Sequence, residues 1–355
     1  MTEDEKYMAR CLQIARLGEE LVAPNPMVGA VIVHNGKIIG EGFHRVFGGA
    51  HAEPNAVMSV QAQELLSQST LYVSLEPCSH YGKTPPCAEL IVRKKMARVV
   101  VGTLDPNPQV AGRGITMLRN AGIEVKVGVL ENECYELNKR FFELHRNRKP
   151  YITIKWAQTS DGFIDTVREN KNQTVTVISN RITKQLVHQL RSQNMAIMVG
   201  TNTALLDNPT LRTTRWKGKN PLRITVDKTC RLTSDLHLLN DGEPTLVFSE
   251  KEKYPFPTIA TVIKIDFNKN IWEQISAELY QRNIHSLIIE GGTQLIESAF
   301  KHDFWDEMQV EISHNTLGSG VRAPQIPQKQ HTSYCINKNY IISIKNTHHD
   351  LTSDT

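Results

Sequence analysis

One pattern dictates which distant segments of this chain must meet. It is His51-Ala52-Glu53, then Glu76-Pro77-Cys78, then Cys87. Imidazole and thiolate are the ligands zinc prefers, and a catalytic zinc keeps three protein ligands with a fourth position open to water. One His and two Cys make that count, so a fold that uses them brings residues 51, 78 and 87 to one point. The six cysteines (11, 78, 87, 134, 230 and 335) are too few and too scattered in 355 residues for a disulfide framework. That usage points to a reducing cytoplasm, where paired cysteines hold metal. The other four read as inert packing residues.

Zinc lowers the pKa of bound water to about 7, which provides hydroxide at neutral pH. A carboxylate must then shuttle protons without ligating the metal. Glu53, two residues after His51 at a predicted helix start, can face the same cavity. The H-x-E…P-C pattern is the signature of nucleobase deaminases, in which two residues usually separate the cysteines. Here eight do, Ser79 to Pro86, and His80, Lys83 and Thr84 among them are donors suited to a phosphate. Downstream, Asp105-Pro106-Asn107-Pro108 and Ala111-Gly112-Arg113-Gly114 form another turn-rich stretch after a strand end, where ligand loops collect. A plain turn would look the same.

Hydrophobic periodicity predicts an α/β chain. In the first half it gives a helix through Tyr7–Ala15 ending at Gly18, and a hairpin of Val28–Val33 and Lys37–Phe43 around an Asn35-Gly36 turn. Helices follow over 51–66, 86–95, 115–121 and 131–146, with strands at 71–75, 99–101 and 125–129. The polar, basic stretch Arg146-Asn147-Arg148-Lys149-Pro150 breaks the pattern. It separates domains at 1–147 and 150–345, with a polar, frayed tail over 346–355. The second half has strands at 151–156, 196–200, 222–226, 245–248, 286–289 and 308–312, and helices at 181–191, 272–282 and 294–301. Runs beyond about 320 are too short to place an element.

A hydrophobic fraction of 40% excludes global disorder. The net charge of +4, with no arginine-rich arm, suits a small anionic ligand rather than nucleic acid. No apolar run approaches the roughly 20 residues that span a bilayer. The acidic start Met1–Lys6 does not read as a signal peptide.

In the second half, Glu290-Gly291-Gly292-Thr293 follows the apolar run Leu287–Ile289 and opens a helix. Such a junction lets backbone approach a phosphate, although it also fits an ordinary strand–helix turn. A G-x-G-x-x-G fingerprint is absent.

The first half, over residues 4 to 145, resembles the deaminase domain of the bifunctional riboflavin biosynthesis deaminase–reductase family. The matching stretches are Pro24-Asn25-Pro26-Met27-Val28-Gly29, His51-Ala52-Glu53, Glu76 through Cys87, Asp105–Pro108 and Val110–Gly114. The second half is similar to that family's reductase domain through Lys155-Trp156-Ala157 to Asp161-Gly162, the helix ending at Arg191, Gly200–Thr203, Leu206-Asp207-Asn208-Pro209, Pro221–Asp227 and Glu290-Gly291-Gly292. The resemblance implies a cytidine-deaminase-like three-layer α/β domain followed by a dihydrofolate-reductase-like one. It implies hydrolytic deamination of 2,5-diamino-6-ribosylamino-4(3H)-pyrimidinone 5′-phosphate, then reduction of the ribosyl group to ribityl by NADPH. Carried over residue by residue, His51, Cys78 and Cys87 hold one zinc per chain and Glu53 moves protons. Asn25, His44, His80, Lys83, Asp105 and Asn107 surround the deaminase substrate. Lys155, Arg191, Leu211, Arg215 and Glu290 meet the reductase substrate, with Arg212 an alternative to Arg215 for the phosphate. Ala157, Val177, Thr203, Asp207, Gly292, Thr293, Gln294, Leu295, Ile296, Glu297 and Ser298 meet NADPH. A cytoplasmic homo-oligomer is expected, with no nucleic-acid or membrane partner.

Four departures from the family's pattern stand out. Val177 replaces a Trp, Val175 a Ser, and Lys228 a Ser after Asp227, and the Arg expected three residues after Leu211 is displaced, with Arg212 adjacent and Arg215 four away. Those at Val175 and Val177 motivate one alternative, a deaminase whose reductase-like half serves assembly; another is a nucleic-acid base deaminase. The retained Lys155, Asp207 and Glu290 count against the first, and the weak charge against the second.

Overall fold

Two residues with left-handed backbone, Asn35 and Gly36 (φ 47° and 71°), form the turn of the opening hairpin. Its strands are β1 (Gly29–His34) and β2 (Lys37–Phe43). The computed structural model describes residues 1–81, 85–107 and 110–346. Lys83, Thr84 and Pro108, all named above, and the tail from Thr347 lie outside the described residues. The chain divides into two units, Met1–Arg148 and Lys149–Thr355.

The first unit adds β3 (Thr70–Leu75), β4 (Arg98–Thr103) and β5 (Glu124–Val127) in the order β2-β1-β3-β4-β5. β1 runs antiparallel to both neighbours, and β3, β4 and β5 are parallel. Alternation along the strands feeds two apolar layers. Ala30, Ile32, Leu71, Val73, Val99 and Val101 pack under α2 (Ala52–Ser59), α3 (Cys87–Arg93) and α4 (Arg113–Asn120). On the other face, Val31, Val33, Tyr72 and Val100 meet α1 (Glu3–Ala15) and Cys134 of α5 (Glu131–Leu137). The result is the three-layer arrangement expected. Helix α2 lies so close to β2 that a Cβ on Gly42 would stand 2.2 Å from the Ala56 nitrogen.

Two predicted helices are shorter than their periodicity suggests. The one expected over 51–66 stops at Ser59, where Val60 turns extended and Gln63 Nε2 binds the carbonyls of Val57 and Val60 at 2.8 Å each. The one expected over 131–146 is broken at Asn138 into α5 and α6 (Lys139–Asn147). The Asn138 side chain accepts from the Met27 N–H and donates to the Met27 carbonyl, both at 2.8 Å, a tertiary demand that overrides helix propensity.

The second unit is a nine-stranded sheet in the order β11-β10-β9-β8-β12-β6-β13-β16-β15. Its strands are β6 (Tyr151–Gln158), β8 (Ala196–Val199), β9 (Leu222–Val226), β10 (Thr245–Ser249), β11 (Thr261–Lys264), β12 (Ser286–Ile289), β13 (Glu307–Ile312), β15 (His331–Ile336) and β16 (Asn339–Lys345). Two short strands, β7 (Phe163–Asp165) and β14 (Val321–Arg322), pair separately. The sheet is parallel from β11 to β13 and antiparallel at β16 and β15. Helices α7 (Arg181–Ser192), α8 (Thr201–Asp207), α9 (His237–Asn240), α10 (Ile271–Gln281) and α11 (Thr293–Lys301) complete it. The chain leaves β8 toward β9 on one side and leaves β12 toward β13 on the other. Between β8 and β12 the strand order therefore reverses, and ligands bind α/β sheets at the carboxyl ends of strands at such a point.

The terminal hairpin corrects the reading that residues beyond 320 place nothing, since β15 and β16 finish the sheet. Asn337 and Lys338 make its turn with positive φ. The cysteines need a correction too. Cys11 and Cys134 are buried and Cys230 is half-buried, but Cys335 lies exposed on the edge strand β15 and does not pack. No helix among the described residues is long and apolar enough to cross a membrane.

Candidate active sites

His51 is the residue before the first turn of α2, and Cys87 opens α3. The metal-binding atoms of His51, Cys78 and Cys87 lie within 4.8 Å of one another. His51 Nδ1 stands 3.6 Å from Cys78 Sγ and 3.4 Å from Cys87 Sγ. The Cys87 backbone N–H donates to Cys78 Sγ at 3.3 Å, which seats that sulfur as an anion. Hydrogen bonds from Cys87 and His51 hold the Cys78 thiol well below its ordinary value, and the same Cys78 partner, with burial, pushes Cys87 up. An imidazole and two sulfurs converging this closely are a donor set that fits zinc.

Glu53 sits in the first turn of α2 and is 3% exposed. Burial pushes its carboxyl up to about 7, the Cys78 charge adds to this and His51 opposes it. A group poised near neutrality can both take and give a proton. Beside it, His44 Nδ1 faces the Ala50 carbonyl at 3.0 Å, which assigns the ring proton there and leaves Nε2 to accept from Asn25 Nδ2 at 3.1 Å. The His44 ring meets His51 edge-on at 5.5 Å. Burial lowers the pKa of His44, keeping it neutral.

Asp105 is the next expected substrate residue. It is nearly buried and accepts from the Asn107 N–H at 2.8 Å. Burial raises its carboxyl to about 6, with Glu76 and Cys78 adding. Asn107 is half-buried beside it. His80 is exposed and makes no hydrogen bond among the described residues. The structure thus gathers Asn25, His44 and Asp105 around the ligand triad with Glu53.

The residue that sequence reasoning passed over is Glu76. Its buried carboxylate accepts from four backbone N–H groups: Gly114 and Ile115 on Oε1 (3.0 and 3.3 Å), Gly112 and Asp105 on Oε2 (2.9 and 3.3 Å). One side chain thereby fixes the Asp105 loop and the start of α4 against the strand that delivers Cys78. The only sequence signal was its place in Glu-Pro-Cys.

In the second unit, Glu290 follows β12 directly and binds Arg191 at the end of α7 through two bonds, 2.9 and 2.6 Å. Burial works to raise the Glu290 carboxyl, and Arg191 with Lys155 overcomes it, so it stays below the ordinary glutamate value. Lys155 on β6 is half-buried, its amino group donates no hydrogen bond among the described residues, and partial burial lowers its pKa. Arg191 Nη1 also reaches the Arg212 carbonyl at 3.1 Å, next to Leu211, a buried residue with φ 55°. The Arg212 guanidinium is committed to Asp241 and Glu243. Arg215 is exposed and makes no ion pair among the described residues.

Of the expected cofactor residues, Thr203, Gly292 and Thr293 stand at the switch point. The Gly200 N–H donates to the Gly291 carbonyl at 3.0 Å and ties the ends of β8 and β12 together. A Cβ on Gly292 would lie 3.0 Å from Thr203 Oγ1, and Gly291 has φ 142°. Side chains there would fill the cradle, which fits a phosphate-bearing cofactor approached by backbone. Thr293 and Gln294 border it, and Glu297 is exposed. Leu295 and Ile296 bury their side chains in the core and offer a ligand only backbone, while Ser298 accepts from Trp272 Nε1 at 3.1 Å and keeps its O–H as a donor. Asp207 pairs with Arg168, which also binds Asp165 at 2.7 Å. Ala157 is half-buried on β6. Val177 is 65% exposed and lines a cavity of about 470 Å³ with Thr159, Thr176, Ile178 and His314–Leu317.

Comparison with known proteins agrees with both halves. The family model described as RibD C-terminal domain matches residues 150–351, and the cytidine and deoxycytidylate deaminase zinc-binding region matches residues 1–103. The chain is 40% identical over 327 residues to the riboflavin biosynthesis protein RibD of Aquifex aeolicus, covering 90% of this chain and 89% of that protein. It is 35% identical over 337 residues to the Escherichia coli K12 protein of the same name, covering 90% of each. Among solved structures, the diaminohydroxyphosphoribosylaminopyrimidine deaminase/5-amino-6-(5-phosphoribosylamino)uracil reductase of Thermotoga maritima superposes with a TM-score of 0.85 at 33% identity, over 97% of this chain and 98% of that one. RibD of Acinetobacter baumannii gives 0.84 at 29% identity, with the same coverage.

Proposed function

The chain belongs to the RibD family of riboflavin biosynthesis proteins, and from that premise we propose that it carries out two consecutive steps. The first unit removes an exocyclic amine from the diaminopyrimidinone ribosyl phosphate by hydrolysis. The second reduces the ribosyl group of the product to ribityl. The observation that carries the reading is the convergence of one imidazole and two sulfurs beside the buried Glu53.

His51, Cys78 and Cys87 would hold zinc, which supplies a water acidified to near neutrality. Glu53 then does the proton work of the chain. It takes the proton of the attacking water as the carbon–oxygen bond forms, and returns it to the nitrogen as the carbon–nitrogen bond breaks and ammonia leaves. Asn25 and His44, locked to each other, present a fixed polar edge to the pyrimidine. Asp105 is the further polar group at its rim.

The Gly200–Gly291–Gly292–Thr203 cradle would take NADPH, which supplies a hydride for ribose C1′. As the C1′–oxygen bond opens, the released ring oxygen must take a proton. Lys155, a half-buried cation with no hydrogen bond among the described residues, is the group suited to give it. Glu290 and Arg191, locked pairwise, orient the ribosyl chain, and the exposed Arg215 is the free guanidinium for its phosphate. Relatives matched along about nine-tenths of their length through both halves support two activities over deaminase-only chemistry. Two sulfurs poised as metal ligands suit a reducing, cytoplasmic setting. A homo-oligomer is the assembly we expect, and light scattering tests it.

The test is product analysis by mass spectrometry. Zinc-loaded protein given the diaminopyrimidinone ribosyl phosphate should release ammonia alone without NADPH, and yield the ribityl product with it. Deamination with no ribityl product under either condition refutes the second half of the reading.

A further inference from the structure

Behind the expected reductase substrate residues lies a charged group that the two-step reading does not use. Gln309 of β13 stands directly opposite Lys155 of β6, and Glu311, two residues further along, returns to the same face of the sheet. Glu311 is 2% exposed. Both its oxygens are held: Ser179 Oγ donates to Oε2 at 2.5 Å and Asn339 Nδ2 to Oε1 at 2.6 Å. Glu311 and Lys155 line the same small cavity, with Thr183, Gln309 and Tyr334 on its wall. Its volume of about 30 Å³ is enough to admit water.

The charge balance explains why a buried carboxylate is there. Three charged groups act on Lys155: Glu290 at the end of β12, Glu311 on β13 and Arg191 on α7. Glu290 is spent on Arg191, through two hydrogen bonds. Glu290 still acts on Lys155, but Arg191 offsets it, and Glu311 is the second carboxylate that favours the Lys155 ammonium. Without it, two half-buried cations would share a single anion, and an amine so placed gives up its proton more readily.

We propose that Glu311 is a positioning residue for the reduction step: clamped by Ser179 and Asn339, it holds Lys155 as an ammonium aimed at the substrate across the cavity between them. This rests on the placement of Lys155 in the substrate site proposed above. Glu311 itself touches neither substrate nor cofactor.

The experiment uses the full chain and two variants, Glu311→Gln and Ser179→Ala. Protonation of Lys155 is read from its ¹³Cε chemical shift in lysine-labelled protein, with the peak assigned by its loss in Lys155→Arg. The titration midpoint should fall by about one pH unit in Glu311→Gln and by less in Ser179→Ala. In the reduction assay on the deaminated substrate, the alkaline limb of kcat should move the same way. Above neutrality kcat then drops about tenfold, the KM for NADPH holds, and Glu311→Asp recovers part of the loss. A Lys155 titration unchanged in both variants overturns the proposal. So does a loss of kcat that is equal at every pH. Should Glu311→Gln not fold, Ser179→Ala on its half-buried residue decides by the same readouts. If Lys155→Met reduces substrate as well as the parent, the substrate-site reading fails, while the titration still reports on Glu311.

Discussion

Replacing Glu76 by Gln exchanges one oxygen of a buried carboxylate for an NH₂ group and leaves its size unchanged. In the parent, Oε1 serves the N–H groups of Gly114 and Ile115, and Oε2 those of Gly112 and Asp105. The amide keeps one accepting oxygen, and its nitrogen faces two N–H donors. Flipping the amide only changes which pair is orphaned. Each buried donor without a partner costs about 1–3 kcal/mol, so the substitution should destabilise the first unit by about 2–6 kcal/mol. That is a large part of the roughly 5–15 kcal/mol that holds a domain folded. Relief by movement is blocked, since a Cβ on Gly114 would already lie 2.1 Å from the Pro77 carbonyl. All four tryptophans (156, 216, 272 and 305) belong to the second unit, so their fluorescence follows that unit and serves as an internal control. Denaturation followed by zinc release should shift to lower denaturant while the tryptophan transition stays. Amide exchange over 105–115 should quicken, and the KM for deamination should rise through the loosened Asp105. A zinc-release transition displaced by less than about 1 kcal/mol, with exchange unchanged, would refute the claim that Glu76 organises this loop.

Glu53→Gln should retain one zinc per chain and lose ammonia release by about 10²–10⁴-fold, because the ligands stay and the acid–base group goes; loss of zinc in that variant contradicts the role given to Glu53. Glu290→Gln should spare ammonia release and abolish reduction. It leaves Arg191 buried without its anion, at a cost of about 3–5 kcal/mol to the second unit, and joint failure of both steps would show that the sites are not independent. Asp4 accepts from Arg98, Lys126 and Tyr72, and Arg98 above all holds its carboxyl well below the ordinary aspartate value. Its stabilisation is complete above the unfolded aspartate pKa of about 4 and fades as pH falls through the lower folded value. Asp4→Asn should cost about 1–3 kcal/mol at pH 7 and progressively less in acid. Equal losses at neutral and acid pH, by denaturant titration, would exclude that origin.

How legible these features were in the sequence follows from how local their causes are. The zinc triad and Glu53 could be read because few residue types do that chemistry and these stand in a characteristic spacing, whatever the backbone between them. The opening hairpin could be read because Asn35-Gly36 satisfies its turn within two residues. The break at Asn138 could not, because its cause is a pair of hydrogen bonds to Met27, more than a hundred residues away. The same holds for Glu76, whose four donors lie 29 to 39 residues downstream, and for Glu311, whose clamp joins segments at 179 and 339. The terminal hairpin carried a signal, alternating Tyr and Ile around Asn337-Lys338, but its outer strand is exposed on both faces and so lacks the apolar stripe that marks a strand.

Val177 shows the reverse limit. Sequence reveals the missing indole where the resembled family carries Trp, but not what the loss leaves behind. The structure shows open space, a cavity of about 470 Å³ bordered by Thr159, Asn315, Thr316 and His314. Its lining offers hydroxyl, amide and imidazole groups. A cofactor entering from this side would therefore be held by hydrogen bonds rather than by an aromatic face, while the Gly291–Gly292 cradle and the Lys155–Glu290–Arg191 cluster keep their polar groups. A discarded site has no reason to keep buried charges paired at the cost of their desolvation, and here Glu290 and Arg191 remain locked together in the interior.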